Sequence, residues 1–129
     1  MSASIQRRRF RLDATVLVHP GERVAIEVER QGALFRVARV TIAERVGHLV
    51  MVDDVRAGQW SLAEATDGAG PWSGTLFGPR HPSDGARPPF YAPPAAKAQI
   101  VVTNTSNESV EVDATFHVEA GPFPAAPSN

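Results

Sequence analysis

The stretch Val110-Glu111-Val112-Asp113-Ala114-Thr115-Phe116-His117-Val118-Glu119 decides the fold class. Apolar side chains hold every even position and polar ones every odd position. Successive side chains on a strand point to opposite faces, so this period of two describes a strand with one buried and one wet face. Just before it, Gln99-Ile100-Val101-Val102-Thr103 reads as another strand and Asn104-Thr105-Ser106-Asn107-Glu108 as a polar turn. The pair is predicted to be a hairpin.

The N-terminal region repeats the pattern. Phe10, Leu12, Ala14, Val16 and Val18 alternate with Arg9, Arg11, Asp13 and Thr15, and Leu17 is the exception. His19-Pro20-Gly21-Glu22 reads as a type II turn, in which Pro20 presets φ and Gly21 supplies the positive φ required next. Val24, Ile26 and Val28 resume the alternation against Glu27 and Glu29, so residues 10–30 are predicted as a first hairpin.

Between these ends, residues 33–42 favour a strand for their β-branched content, although Leu34, Val37 and Ala38 also sit at helical spacing. Simple alternation puts Arg36 and Arg39 on opposite faces. The run from His48 to Arg56 is apolar on both faces and suits a central strand. Ala57-Gly58 is a turn, and Trp60-Ser61-Leu62-Ala63 a short extended piece. Residues 66–96 differ in kind, with 7 of the 11 prolines, 5 of the 10 glycines and 4 of the 9 aromatic residues. Prolines at that density oppose helix and central strand, while the aromatics argue for an ordered excursion that packs on something. A long irregular segment in a compact domain is usually functional.

The fold class expected is all-β: an antiparallel β-sandwich of jelly-roll or Greek-key type, with one long Pro/Gly-rich loop and its terminal strands meeting in one sheet. Residues 10–120 form the domain, residues 1–9 a flexible basic arm and residues 121–129 an extended tail.

Composition narrows the chemistry. A chain of 129 residues fits one domain, and the absence of cysteine removes disulfides, thiolate metal sites and cysteine nucleophiles. Arg7, Arg8, Arg9 and Arg11 place four positive charges before any acid; the nine remaining basic residues face 14 acidic ones, leaving the body mildly acidic. The arm alone could touch nucleic-acid phosphate, but that partner is not favoured. The longest apolar run, Leu49-Val50-Met51-Val52, is far too short to span a membrane, and no signal peptide is read at the start. The expected location is a virion if the protein is viral, and otherwise the cytoplasm.

No catalytic, cofactor or metal site is expected. His19, His48, His81 and His117 never fall in pairs at ligand spacing, and His117 lies on a wet face, where it reads as solvated or singly hydrogen-bonded. Asp53 and Asp54 are the only adjacent acids, and neighbours on a strand point apart, so they form no carboxylate dyad. Asp53, sharing a face with Leu49, Met51 and Val55, is expected to be partly buried and ion-paired to Arg36, Arg39 or Arg56. No serine lies in a G-x-S-x-G context, and Gly68-Ala69-Gly70-Pro71 lacks the lysine and helix of a phosphate loop. An enzyme whose residues are scattered in sequence would leave no local motif, because sites assemble in space.

The candidate interface residues are Arg7, Arg8 and Arg9 of the arm with Trp72, Phe90 and Tyr91 of the Pro-rich excursion. The arginines read either as a solvated extension or as an arm ordered on assembly. The aromatics either cap an open end of the fold or anchor a protein contact.

Phe35-Arg36-Val37-Ala38-Arg39, Ile42-Ala43, Met51-Val52-Asp53-Asp54-Val55 and Arg56-Ala57-Gly58, together with Val101-Val102-Thr103-Asn104-Thr105-Ser106, resemble small β-sandwich proteins of bacteriophages. Those proteins are associated with capsids and often have a jelly-roll form. The Val-Thr-Asn-Thr-Ser segment is also similar to immunoglobulin-like modules of bacterial surface proteins. The first resemblance implies a structural virion subunit that assembles with itself and other shell proteins. The second implies a carbohydrate- or protein-binding module, with Trp72, Phe90 and Tyr91 as its stacking surface.

Overall fold

A computed structural model describes residues 8–79, 92–121 and 123. The chain runs β1 (Arg8–Val18), β2 (Arg23–Glu29), β3 (Phe35–Ile42), α1 (Glu44–Gly47), β4 (Val50–Ala57), β5 (Trp60–Ser61), α2 (Leu62–Ala65), β6 (Trp72–Ser73), a 3-10 turn (Gly74–Phe77), β7 (Lys97–Asn104) and β8 (Val110–Ala120). The strands form two antiparallel sheets, as the all-β reading requires. The first has the order β1-β8-β3, and the second β2-β7-β4-β5 with β6 also on β4.

Both expected hairpins are corrected. The β1 strand pairs with β8 over its whole length, Arg8 opposite Ala120 through Val18 opposite Val110, while β2 pairs with β7. Each strand pair joined by a short turn is thus divided between the sheets. A period of two says that a strand has a buried face and nothing about its neighbour, and a turn can step across the roughly 10 Å to a facing sheet as readily as back along one. The turn chemistry itself is as read: the Glu22 N–H donates to the His19 carbonyl at 2.9 Å, and Gly21 has φ 75°. The terminal strands do meet in one sheet.

The two crossings lie side by side and are stitched by Asn104, which is fully buried. Its Nδ2 donates to the carbonyls of Val18 (2.9 Å) and Glu108 (2.8 Å), and its Oδ1 accepts from the Ser106 N–H (2.9 Å) and Oγ (2.7 Å). Its backbone adds bonds from the Gly21 N–H and to the Glu22 carbonyl. One residue therefore ties the end of the first strand to both turns, its side chain to the second and its backbone to the first, with every polar atom of the side chain satisfied.

Inner-face residues of both sheets share one core, with Val18, Ile26, Phe35, Val40, Val52, Val55, Ile100, Val102, Val112 and Phe116 completely shielded. The strand β4 lies between β7 and the short β5 and β6, which is the central placement read for residues 48–56. Two register shifts, between Val37 and Arg39 and between Val52 and Asp54, break the alternation. A bulge inserts one residue and moves everything after it to the other face. Arg36 and Arg39 consequently point the same way, opposite Glu119 and His117 of β8, rather than to opposite faces.

The second shift separates the two aspartates. Asp54, not Asp53, is the buried one, at 3 % exposure. It accepts from the Val55 N–H (2.8 Å), Arg56 Nε (2.8 Å), Ser61 Oγ (2.7 Å) and the Ala63 N–H (2.9 Å). Burial pushes its carboxyl upward, but the bonds from Arg56, Ala63, Ser61 and Val55 outweigh that and hold it below the usual carboxylate range. Asp53 is half-buried as expected, but it accepts from Thr103 Oγ1 at 2.6 Å and pairs with Arg23 at 3.7 Å rather than with Arg36, Arg39 or Arg56.

The expected extended piece at Trp60–Ala63 is strand only through Ser61. The Ser61 Oγ then caps the single turn of α2 by accepting from the Glu64 N–H, the spacing of a capping box. Within the Pro-rich excursion, Trp72–Ser73 pairs with Met51–Val52, and the following 3-10 turn packs against α1. A Cβ on Gly74 would stand 2.3 Å from the Gly47 carbonyl oxygen, so this contact requires glycine.

Candidate functional site

The outer face of the three-stranded sheet carries most of the polar groups brought together from distant sequence. Because β8 is central, its outward residues Glu119, His117 and Thr115 each stand between one residue of β1 and one of β3, forming rows across the sheet that Asp113 continues opposite Thr15 of β1. The first row is Arg9, Glu119 and Arg36. Glu119 accepts from Arg36 at 2.8 Å and faces Arg9 at 3.8 Å. In the third row Thr115 donates to Asp13 at 2.7 Å, beside Thr41. In the fourth Thr15 donates to Asp113 at 2.6 Å, and the Arg45 guanidinium pairs with the same carboxylate. The Thr15 hydroxyl holds the Asp113 carboxyl below its usual range, aided by Arg45 against a smaller opposing effect of burial.

The second row is different. It consists of Arg11, His117 and Arg39, with no acidic member. Burial lowers the His117 imidazole below its ordinary value, and Arg39 and Arg11 lower it further, while Asp13 acts weakly in the other sense. Both effects favour the neutral imidazole, which has one donor and one acceptor nitrogen. Arg39 is tethered by donating to the carbonyls of Gly78 and Pro79, both at 3.4 Å. An open cleft of about 430 Å³ runs over the row, lined by Arg9, Arg11, Ala38, Arg39, His117 and Glu119 among others.

The expected interface residues do not converge. Arg8 and Arg9 belong to β1, paired with Ala120 and Glu119, and so are strand residues rather than part of an arm. Trp72 is half-buried on β6 of the other sheet, where it packs against the core. Arg7, Phe90 and Tyr91 lie outside the described residues, as do His81 and the tail beyond residue 123. His19 shares a hydrogen bond with Ser109 Oγ at 2.9 Å, a contact between the two crossings.

Sequence reading missed the row because it depends on three things invisible in a linear pattern. Those are the β1–β8 register, the β3–β8 register and the bulge that turns Arg39 outward. The outward positions of Arg11 and His117 were legible from alternation alone. A charge count that finds an acidic body also misses how folding gathers Arg9, Arg11, Arg36 and Arg39 on one face.

The edge beside this face is also distinctive. The strand β1 is 11 residues long and pairs only with β8 among the described residues. Its inward residues Phe10, Leu12, Ala14 and Val16 pack on the core yet stay only half-buried, and the Arg30 guanidinium sits 4.8 Å over the Phe10 ring. Among the described residues no three His, Asp or Glu side chains cluster as a metal site, and no helix is long and apolar enough to cross a membrane. Comparison with protein-family models, curated proteins and solved structures finds no match to this chain.

Proposed function

We propose that the two sheets form a jelly-roll β-sandwich and that the protein is a structural subunit of a bacteriophage virion. It works by contact with copies of itself and other shell proteins, without bond chemistry. The observation that carries this reading is the long β1 edge, whose outer side pairs with no other strand among the described residues, and its half-covered apolar row of Phe10, Leu12, Ala14 and Val16. An unpaired edge strand is a template for another strand, and addition of a second copy would cover that row. The jelly roll is supported by the pairing of first strand with last, second with seventh and fourth with fifth. That is the pattern of one long folded hairpin rolled up, an architecture used by viral capsid and lectin domains. The resemblance of residues 35–58 to capsid-associated phage proteins supports the virion assignment.

Size-exclusion chromatography with light scattering, followed by negative-stain microscopy, tests the proposal. Defined oligomers or shells are expected, and Leu12→Lys should shift them toward monomer while the far-UV spectrum stays unchanged. A strict monomer at high concentration that binds a glycan would instead identify a carbohydrate-binding module.

A further inference from the structure

We propose that two copies of the chain join antiparallel through β1 about a two-fold axis at Leu12, so that Arg11 of each copy pairs with the partner's Asp13. The proposal rests on the reading above that copies meet at β1, and adds how they align. Arg9, Arg11, Asp13, Thr15 and Leu17 are exposed along the outward face of β1, and Phe10, Leu12, Ala14 and Val16 stand half-buried on the inward one. Among the described residues only β8 pairs with this strand, so a further strand would add on its other side. A two-fold axis perpendicular to the sheet makes the added strand antiparallel and sets outward residues against outward ones. The axis must then pass through a residue, because an axis between residues would oppose an outward side chain to an inward one.

Charge chooses among the alignments that remain, since opposite charges directly across a strand pair attract and like charges destabilise it. With the axis at Leu12, Arg11 stands opposite the partner's Asp13 and Arg9 opposite the partner's Thr15, each contact occurring twice. With the axis one residue earlier Arg11 meets its own copy, and one residue later Asp13 does. At Ala14 neither charge meets another, and at Phe10 Arg9 meets the partner's Arg11. Parallel, in-register pairing would stack every arginine on itself. The inward row agrees with the same axis: Leu12 meets Leu12, and each Phe10 meets the partner's Ala14, large against small. Thr115 already donates to Asp13 Oδ1, and a carboxylate has acceptor sites to spare for a guanidinium. The three-stranded sheets of two copies thereby become one continuous sheet.

The test is sedimentation of the full chain over a range of concentrations. Arg11→Asp and Asp13→Arg each set like charges in register, and each should weaken self-association about tenfold. Mixed one to one, the two variants should recover the lost affinity as a heterodimer, because every cross-copy pair is then opposite in charge. Should either variant lose its far-UV spectrum, cysteine decides instead, since the chain has none of its own. Leu12→Cys should oxidise to a linked dimer, because directly opposed strand residues lie within the Cα reach of a disulfide. Ala14→Cys should not, its two copies standing about 14 Å apart along the strands. Reversals that leave association unchanged, a mixture that fails to recover it, or linkage through Ala14→Cys as readily as through Leu12→Cys overturns the alignment. The reading of β1 as the meeting edge survives such a result if Leu12→Lys still abolishes association. A parent that stays monomeric, or association indifferent to Leu12→Lys, overturns both.

Discussion

The Asn104 corner and the Arg11–His117–Arg39 row are both polar constellations assembled where distant parts of the chain meet, yet they are finished differently. At the corner every donor and acceptor of a fully buried amide finds a protein partner. In the row, two cations and an imidazole stand abreast without an acid in register. Burial explains the difference. A buried polar group without a partner costs about 1–3 kcal/mol, so an interior network must be complete within the protein. A half-exposed row has water to relieve it and need not be completed by groups in register. The buried polar groups here are recognised by their completeness.

The comparison can be broken most forcefully at Asp54, the other completed site. Asp54→Ala strands Arg56, Ser61 and two backbone N–H groups, and should cost about 3–5 kcal/mol in denaturant unfolding. A cost below about 1 kcal/mol would show that these bonds are replaced by water. Asn104→Ala comes next, with an expected loss of about 2–3 kcal/mol and faster amide exchange in both turns. Asn104→Asp should not rescue it, because the carboxylate keeps the acceptor but loses the two donations to Val18 and Glu108.

Acid separates the two kinds of site by pH. His117 has a folded pKa below its unfolded value of 6.5. The unfolded chain binds the proton more readily, so stability should decline as pH falls below about 6.5 toward the folded value. Asp54 and Asp113 are also lowered, from 3.8; their contribution is present above that value and is lost as pH falls further, through the folded pKa. Unfolding free energy against pH should therefore fall in two windows, and His117→Gln should erase only the upper one. The smallest effect has the opposite sign. Arg11→Gln should stabilise the free protein by about 0.2–1 kcal/mol at low salt, because it removes one of two facing cations, and the gain should shrink as salt is added. A loss of stability would show that Arg11 already has a partner in the protein.

Much of the fold was legible from particular residues. The strict alternation from Val110 to Glu119 and from Phe10 to Val18 marked β8 and β1 and their inner faces, and the two-sided apolar run from His48 marked a central strand. Partner choice was not legible, since Val16 or Phe116 would alternate identically beside any neighbour. The bulges at Ala38 and Asp53 left no compositional mark, and they reversed the assignments of Arg39 and Asp54. Ser61-x-x-Glu64 did announce the turn of α2, as a capping spacing lost among residues read as extended. The row was half legible: the sequence oriented its members, and only the registers placed them abreast.

The position of β8 has a consequence for synthesis. Among the described residues β8 is the last strand and the middle of its sheet, so β1 and β3 lack their observed partner until residues 110–120 have been made. On a ribosome adding about 5–20 residues per second, both strands wait several seconds with edges unpaired. The chain cannot close that sheet stepwise from its N-terminus, and a nascent chain stalled before Val110 would expose β1 and β3 to their counterparts on neighbouring nascent chains. The outward arginines along both waiting strands (Arg9, Arg11, Arg36 and Arg39) disfavour like-on-like pairing with such partners by like-charge repulsion.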